Sequence, residues 1–289
     1  AIGGPQDGSI LTAADDYCIV RDDTQACLGT VGKRYVPIQN AQAFEFLDQL
    51  VEGHEMTYES AGALFGGRRV WVLGRLPDEV QVGSEKHMPF VMFSNRHDGF
   101  GSGDAMVLDT RVVCWNTYKL AMSRRDARYM KIRHTGDVKS KLDDARRILG
   151  IARSNMLQFA TQAEQMADHR MTSDALRAFW NEVFPIAPPP KSAEEATPEA
   201  SKLRKRNVMI VHSALDRLFA APETPEADGT LWGAFNAVTH YLDHDKKVTG
   251  RSAQVRFERR FQNTILDGPG TEAKDRAWFA ALDLIGAGS

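Results

Sequence analysis

Residues 40–53, NAQAFEFLDQLVEG, and residues 57–77, TYESAGALFGGRRVWVLGRLP, place an amphipathic helix directly before a strand pair. In the first, Phe44, Leu47, Leu50 and Val51 recur at steps of three and four. Asn40 is suited to cap the start and Gly53 to end the helix. In the second, two strand-like runs flank Gly66-Gly67, and adjacent glycines supply the positive φ angles of a short hairpin. Further strands are expected over His87–Ser94 and about Met106–Cys114. The segment TYKLAMSRRDARYM (117–130) fits either helix or strand, and KIRHT (131–135) fits a short strand before a turn at Gly136-Asp137.

From Val138 to about Phe184 the period becomes helical. Leu142, Ala145, Ile148, Leu149, Met156, Phe159 and Ala163 share one stripe, with a boundary near Arg170–Thr172. A helix, then an antiparallel sheet, then long helices is an α+β order. Four regions are expected. Residues 1–34 read as an extended or weakly ordered arm, and residues 35–185 as an α+β core. Residues 186–201 form a Pro/Ala/Glu-rich linker or loop, and residues 202–289 a helical C-terminal region packed on the core. In that last region KLRKRNVMIVHSALDRLFA (202–220), TLWGAFNAVTHYLDHD (230–245) and QVRFERRF (254–261) each carry helical spacing.

At 289 residues and 43% hydrophobic, the chain can bury a proper core. No apolar run approaches the roughly 20 residues that span a bilayer, and the opening AIGGPQDGSILTAADD lacks a basic stretch followed by an apolar one. No membrane partner and a cytoplasmic location are expected. Cys18, Cys27 and Cys114 match no zinc or thioredoxin-like spacing and are read as reduced thiols.

Net charge is −2, which argues against indiscriminate binding to nucleic acid. The charge is nevertheless unevenly spread. Between Arg111 and Arg153 twelve Lys and Arg stand against four Asp, a local balance of +8, so the remainder carries −10. The cations Arg111, Lys119, Arg124, Arg125, Arg128, Lys131, Arg133, Lys139, Lys141, Arg146 and Arg147, with His134, are interleaved with Trp115, Asn116, Tyr118 and Tyr129. Cations that track a backbone beside aromatic faces that stack on bases are the usual means of holding single-stranded nucleic acid. The same charges also suit a solvated helix face in which Arg146 and Arg147 pair with Asp143 and Asp144. Smaller basic clusters lie at Lys202–Arg206 and between Lys246 and Arg260.

Ser94-Asn95-Arg96-His97-Asp98-Gly99 puts a His-Asp pair in a turn after a strand, where it can move a proton, hold a metal or contact phosphate. The plain alternative is a turn in which Asp98 and Gly99 satisfy backbone groups. His240 and His244, four apart on a helix with Asp243 and Asp245 beside them, can face one metal but lack a third ligand at diagnostic spacing. Gly29-Thr-Val-Gly32-Lys33 has the wrong spacing for a phosphate loop. No GxGxxG or GxSxG occurs in a strand-turn-helix context. No catalytic residue, metal or cofactor is therefore assigned.

The segments YVPIQNAQAFEFLD, YESAGALFGGRRVWVLGRLP, FSNRHDG, RVVCWNT, IRHTGDVKSKLDDAR and GTLWGAFNAVTHYLDH together resemble the phage/plasmid-related protein family, known as domain of unknown function 932. The likeness runs from about Tyr35 to Phe261. Trp115, His240 and Arg96 depart from the family pattern. The resemblance implies mobile elements and no defined activity. More distantly, the element order is similar to that of phage single-strand annealing proteins.

The function expected is a DNA-binding protein of a phage, prophage or plasmid that holds single-stranded DNA and promotes annealing or recombination without nucleotide hydrolysis. It would act as a homo-oligomer, as a ring or filament, with phage or host recombination proteins as further partners. Arg96, His97, Arg111, Trp115, Asn116, Tyr118, Lys119, Arg124, Arg125, Arg128, Lys131, Arg133, His134, Lys139 and Lys141 form the expected nucleic-acid surface. A metal-dependent nuclease built on His97, Asp98, His134 and the His240/Asp243/His244 group is the second expectation. An adaptor or inhibitor of a host protein is the third.

Overall fold

A computed structural model describes residues 16–35, 37–99, 104–111, 118–119, 130–131, 138–186, 198–266 and 268–286. In chain order, β1 (Asp16–Val20) and β2 (Cys27–Gly32) form an antiparallel hairpin. α1 (Asn40–Glu52) follows, then β3 (Thr57–Leu64), β4 (Arg69–Arg75), β5 (Val80–Val82), β6 (Glu85–Arg96) and β7 (Asp104–Arg111). These join in an antiparallel sheet of order β3-β4-β6-β7, with β5 paired to the start of β6. Two short strands, β8 (Tyr118–Lys119) and β9 (Met130–Lys131), line the outer edge of β7.

The Phe65-Gly66-Gly67 turn between β3 and β4 carries φ angles of 53°, 70° and 100°, the left-handed region that glycine enters without steric cost. At the centre of the sheet, Phe90 to Phe93 of β6 are all buried on both faces, each at most 4% exposed. Continuous burial explains why this strand reads as an apolar run rather than as an alternation. Pro89 fits because its carbonyl accepts from Leu76 N at 3.0 Å. Its missing N–H falls on that same side, where β4 has just ended.

α1 and the first half of α2 (Val138–Asp168) cover one sheet face. There Phe46, Leu47, Leu50, Ala145, Ile148 and Leu149 pack on Val91, Phe93 and Ala105. The second half of α2 leaves the sheet for a helical core, where Met156, Phe159, Ala163 and Met166 meet α3 (Ser173–Val183), α4 (Pro198–Phe219) and α5 (Leu231–His240). α6 (Ala253–Phe261) lays Phe261 on Trp71 on the other sheet face, with ring centroids 5.4 Å apart. α7 (Pro269–Leu284) then returns Trp278 to the helical core, stacked on Phe159. Thr172 and Thr230 cap α3 and α5 by accepting from Ala175 N and Gly233 N. Two π-helical turns, Tyr241–Asp245 after α5 and Gln262–Leu266 after α6, are both held by buried Lys274 of α7. Lys274 Nζ donates to both Asp243 oxygens at 2.7 Å and to Thr264 O at 3.3 Å.

The α+β expectation and the helical C-terminal region hold, and several local readings are corrected. Regular structure begins before Tyr35, because residues 16–32 form the β1–β2 hairpin. Cys18 and Cys27 are not free thiols but are joined in a disulfide, their Cα atoms 5.9 Å apart. Asn40 does not cap α1: Gln39 occupies that position with no side-chain hydrogen bond, and Asn40 is the first helical residue. α4 begins at Pro198, inside the stretch assigned to the linker. Residues 187–197 of that linker, most of 117–130 and of KIRHT, and the Gly136-Asp137 turn lie outside the described residues, as does Cys114.

Removing one partner of a buried ion pair leaves the other charge uncompensated. Asp243→Asn is expected to lower the unfolding free energy by about 3–5 kcal/mol in urea titration, whereas the paired Asp243→Leu, Lys274→Met chain recovers most of that loss. Alkylation of denatured, unreduced protein is expected to modify one thiol per chain and, after reduction, three. Three before reduction would remove the Cys18–Cys27 pairing.

Candidate functional site at the end of the central strand

β6 ends in Asn95 and Arg96, and the chain continues extended through His97 into Asp98 and Gly99, whose φ is 80°. His97 N donates to Arg68 O at 2.8 Å, which holds this segment beside the β3–β4 turn. Odd positions of β6 face α1, so Asn95 and His97 continue the row of Val91 and Phe93. They meet the start of the helix rather than its apolar stripe. Asn40 Oδ1 accepts from Asn95 Nδ2 at 3.1 Å and pairs with His97 Nε2 at 2.9 Å, while Asn95 Nδ2 also donates to Ile38 O at 3.1 Å. An amide oxygen can only accept, so Nε2 carries the proton and Nδ1 of a neutral ring is left as an acceptor. Among the described residues Nδ1 has no hydrogen-bond partner.

Burial lowers the His97 pKa below the ordinary histidine value, and the nearby Asp98 carboxylate offsets this only in part. Asp98 is itself occupied: Arg96 donates to it through Nε at 3.1 Å and through a terminal nitrogen at 2.7 Å. The side chains of Arg96 and Asp98 are 25% and 18% exposed, so this pair is largely withdrawn from solvent.

The β1–β2 hairpin closes over this turn. β2 approaches so near that a Cβ at Gly29 would stand 2.6 Å from Asp98 O, and one at Gly99 would stand 2.9 Å from a Val31 methyl. Arg21 ties the hairpin down by donating to Gly66 O at 2.9 Å and to Asp23 Oδ1 at 2.8 Å. The hydrogen bond from Arg21 holds the Asp23 carboxyl at about 2. Between hairpin, sheet and α1 lies an open cavity of about 420 Å³. Ile19, Val20, Leu28, Pro37, Ala63 and Val70 supply its apolar walls. Arg21, Asp22, Asp23, Gln39, Asn40 and His97 supply its polar groups. The arrangement can hold a small planar group on apolar walls and meet its polar edge with a neutral imidazole and amides.

The other sequence-derived site residues divide by place. Tyr118 and Lys119 lie in β8, opposite Asp109 and Leu108, and Lys131 lies in β9, opposite Asp104. Arg111 ends β7, and Lys139 and Lys141 belong to the first turn of α2. Trp115, Asn116, Arg124, Arg125, Arg128, Arg133 and His134 lie outside the described residues. Arg146 pairs with Glu55 at 2.8 Å and Arg147 with Asp144 at 3.4 Å. The expected Asp144 pairing is therefore present, and Arg146 turns instead to the end of α1.

His240 and His244 do approach each other, with ring centroids 4.9 Å apart, and His240 Nδ1 lies 3.2 Å from Glu223. Asp243 turns inward to Lys274. Among the described residues no three His, Cys, Asp or Glu side chains converge to hold a metal ion. Gly29–Lys33 lies in β2 and the turn after it, not in a phosphate loop before a helix.

Sequence reading missed Asn40 as a site residue because its position before an apolar period fits a cap equally well. Arg21 and Asp23 gave no signal at all.

Fold and site thus define an α+β protein whose antiparallel sheet carries a polar, half-apolar cavity at the end of its central strand. The chain belongs to the family described as Domain of unknown function (DUF932), which matches residues 27–265. No curated protein and no solved structure matches it. Among the described residues no helix is long and apolar enough to cross a membrane.

The depressed His97 value has a defined sign for stability. As the pH falls from about 6.5 toward the lower folded-state value, the unfolded chain takes up a proton that the folded chain refuses, so stability is full above that window and lost within it. Urea titrations between pH 5 and 7.5 are expected to show stability rising with pH, with a shallower rise in His97→Gln. A His97 ring signal that titrates at or above 6.5 by NMR would contradict the neutral assignment.

Proposed function

We propose that this chain binds single-stranded nucleic acid, DNA in the first instance, along the β7 side of the sheet, and promotes annealing or recombination without nucleotide hydrolysis. The observation that carries this reading is the placement of the basic segment. It leaves the sheet at Arg111, returns at Tyr118 and again at Lys131, and then enters α2. Its two anchors stand opposite Asp109 and Asp104, five residues apart on one strand, or about 17 Å. That is roughly five stacked nucleotides at 3.4 Å each. Residues 111–131, six Lys and Arg against one Asp, are thus anchored to one sheet edge, in a chain whose net charge is −2.

The cavity lies at the same end of the sheet as the second anchor. Lys131 pairs with Asp104, Asp104 pairs with Ser94, and His97 follows Ser94 by three residues. Cations such as Arg133, Lys139 and Lys141 would meet phosphates, Trp115 or Tyr118 would stack on bases, and a base turned into the cavity would meet His97 and Asn40. A phage or plasmid origin, and an element order like that expected of single-strand annealing proteins, would suit this reading, the latter as fold-level analogy alone.

Fluorescence anisotropy with single- and double-stranded oligonucleotides across a salt series tests the proposal. Affinity for single strands is expected to fall steeply with salt. Arg133→Ala with Lys141→Ala is expected to reduce the log–log slope by about 1.4, at about 0.7 per lost phosphate contact. His97→Ala weakens binding and leaves the slope unchanged. Affinity that is flat in salt, or indifferent to the double substitution, would overturn the reading.

A further inference from the structure

α4 presents an unusual surface. Leu203, Met209 and Ile210 are 58%, 55% and 59% exposed. Beside them Lys202, Lys205, Arg206 and Arg217 line an open groove and make no ion pair among the described residues. A helix that buries its apolar residues on one side has no structural reason to keep three aliphatic side chains on the other.

α1 presents the opposite surface. Its outer side carries Glu45, Asp48 and Glu52, at steps of three and four, and the helix contains no Lys, Arg or His. Alongside them, half-buried Phe44 and Tyr58, the latter 48% exposed, line a second shallow groove shared with Glu45 and Asp48. One face therefore joins cations to aliphatic side chains, and the other joins carboxylates to aromatic rings.

We propose that the α4 face of one copy of this chain docks on the α1 face of a second copy, head to tail. Charge complementarity favours a second copy over a nucleic acid, since aliphatic side chains gain nothing from a phosphate backbone but are covered by Phe44 and Tyr58. α4 and α1 are about 33 and 20 Å long, so the shorter helix can lie within the span of the longer. Because the two faces differ, each docked copy leaves one α4 and one α1 face open, and the assembly continues into a chain or closes into a ring. Charge pairs at such a surface are screened over about 8–10 Å at 0.1–0.15 M salt, so association weakens as salt rises while the apolar contact persists.

The experiment uses the full chain freed of nucleic acid, which separates this proposal from the binding function proposed above. Sedimentation velocity over a concentration range at low and moderate salt is expected to show species larger than one chain. Lys205→Glu with Arg206→Glu places acid against acid, and Glu45→Lys with Glu52→Lys places base against base. Each double variant alone is expected to dissociate, its constant raised tenfold or more, with an unchanged far-ultraviolet circular dichroism spectrum showing that the chain is folded. An equimolar mixture of the two regains association, because every contact in an alternating assembly is again between opposite charges. A wild-type chain that stays monomeric, variants that associate as well as the wild type, or a mixture that fails to regain assembly would each overturn the proposal.

Discussion

The structure depends on one constraint: Phe90 to Phe93 of β6 have no solvent face, and the register of the strand is fixed by polar groups at both ends. A slip of one residue would exchange the two rows of side chains. It would move Phe93 off Phe46 and carry Asn95 and His97 away from Asn40. Each of the large apolar side chains from Phe90 to Phe93 contributes about 1.5–3 kcal/mol through burial, but apolar contacts are tolerant of exchange. Hydrogen bonds with Asn40 and Ile38 are not. At the other end of the strand, His87 lies fully buried among Phe159 and Trp232, and Glu85 Oε1 accepts from the Thr224 hydroxyl of the helical region. The strand that positions the cavity is therefore also keyed into the helical core.

α2 makes the same connection on a larger scale. Its 31 residues keep one apolar stripe, yet that stripe serves two cores. Leu142 to Ala152 face the sheet and α1, and Met156 to Met166 face the helices. The basic segment runs into the first turn of this helix, so its last cations are held on an element that packs into both cores. The β1–β2 hairpin is the contrasting case. Among the described residues its buried cluster is Ile19, Leu28 and Val31, and covalent closure supplies what so small a core cannot. On the chain-entropy account a loop of this length is worth about 2–3 kcal/mol.

Much of this architecture was legible in sequence where one physical rule governed the residues. Helical periodicity located α1, α2, α3 and α6, and the paired glycines located the turn between β3 and β4. Legibility failed where a residue obeys two rules. Asn40 stands where a cap belongs, but its side chain serves the sheet instead, because Asn95 and His97 are buried beneath it and need a partner. Cys18 and Cys27 match no metal or redox motif, and only the hairpin pairing brings them within bonding distance. Arg96 is expected from sequence on a nucleic-acid surface, but Asp98, two residues on, holds its guanidinium. The inner burial of Asp243 was hidden for a related reason. The π-helical turn after α5 rotates it away from His240 and His244 and toward Lys274.

The edge of β7 unites the bland and the functional readings of the basic segment. An open strand edge exposes unpaired backbone groups and invites pairing with another chain, and proteins protect such edges with short strands and Lys side chains. β8 and β9 are two residues each, too short to template further pairing. The chain around them is dense in cations that repel a like edge. A segment selected only to guard the edge would meet its purpose with a few charges. Residues 111–141 carry nine Lys and Arg against two Asp, interleaved with Trp115, Tyr118 and Tyr129, while acids are concentrated elsewhere in the chain. Guarding the edge accounts for the placement of the charge but not for its excess, and the excess is what a polyanionic strand laid along β7 would neutralise.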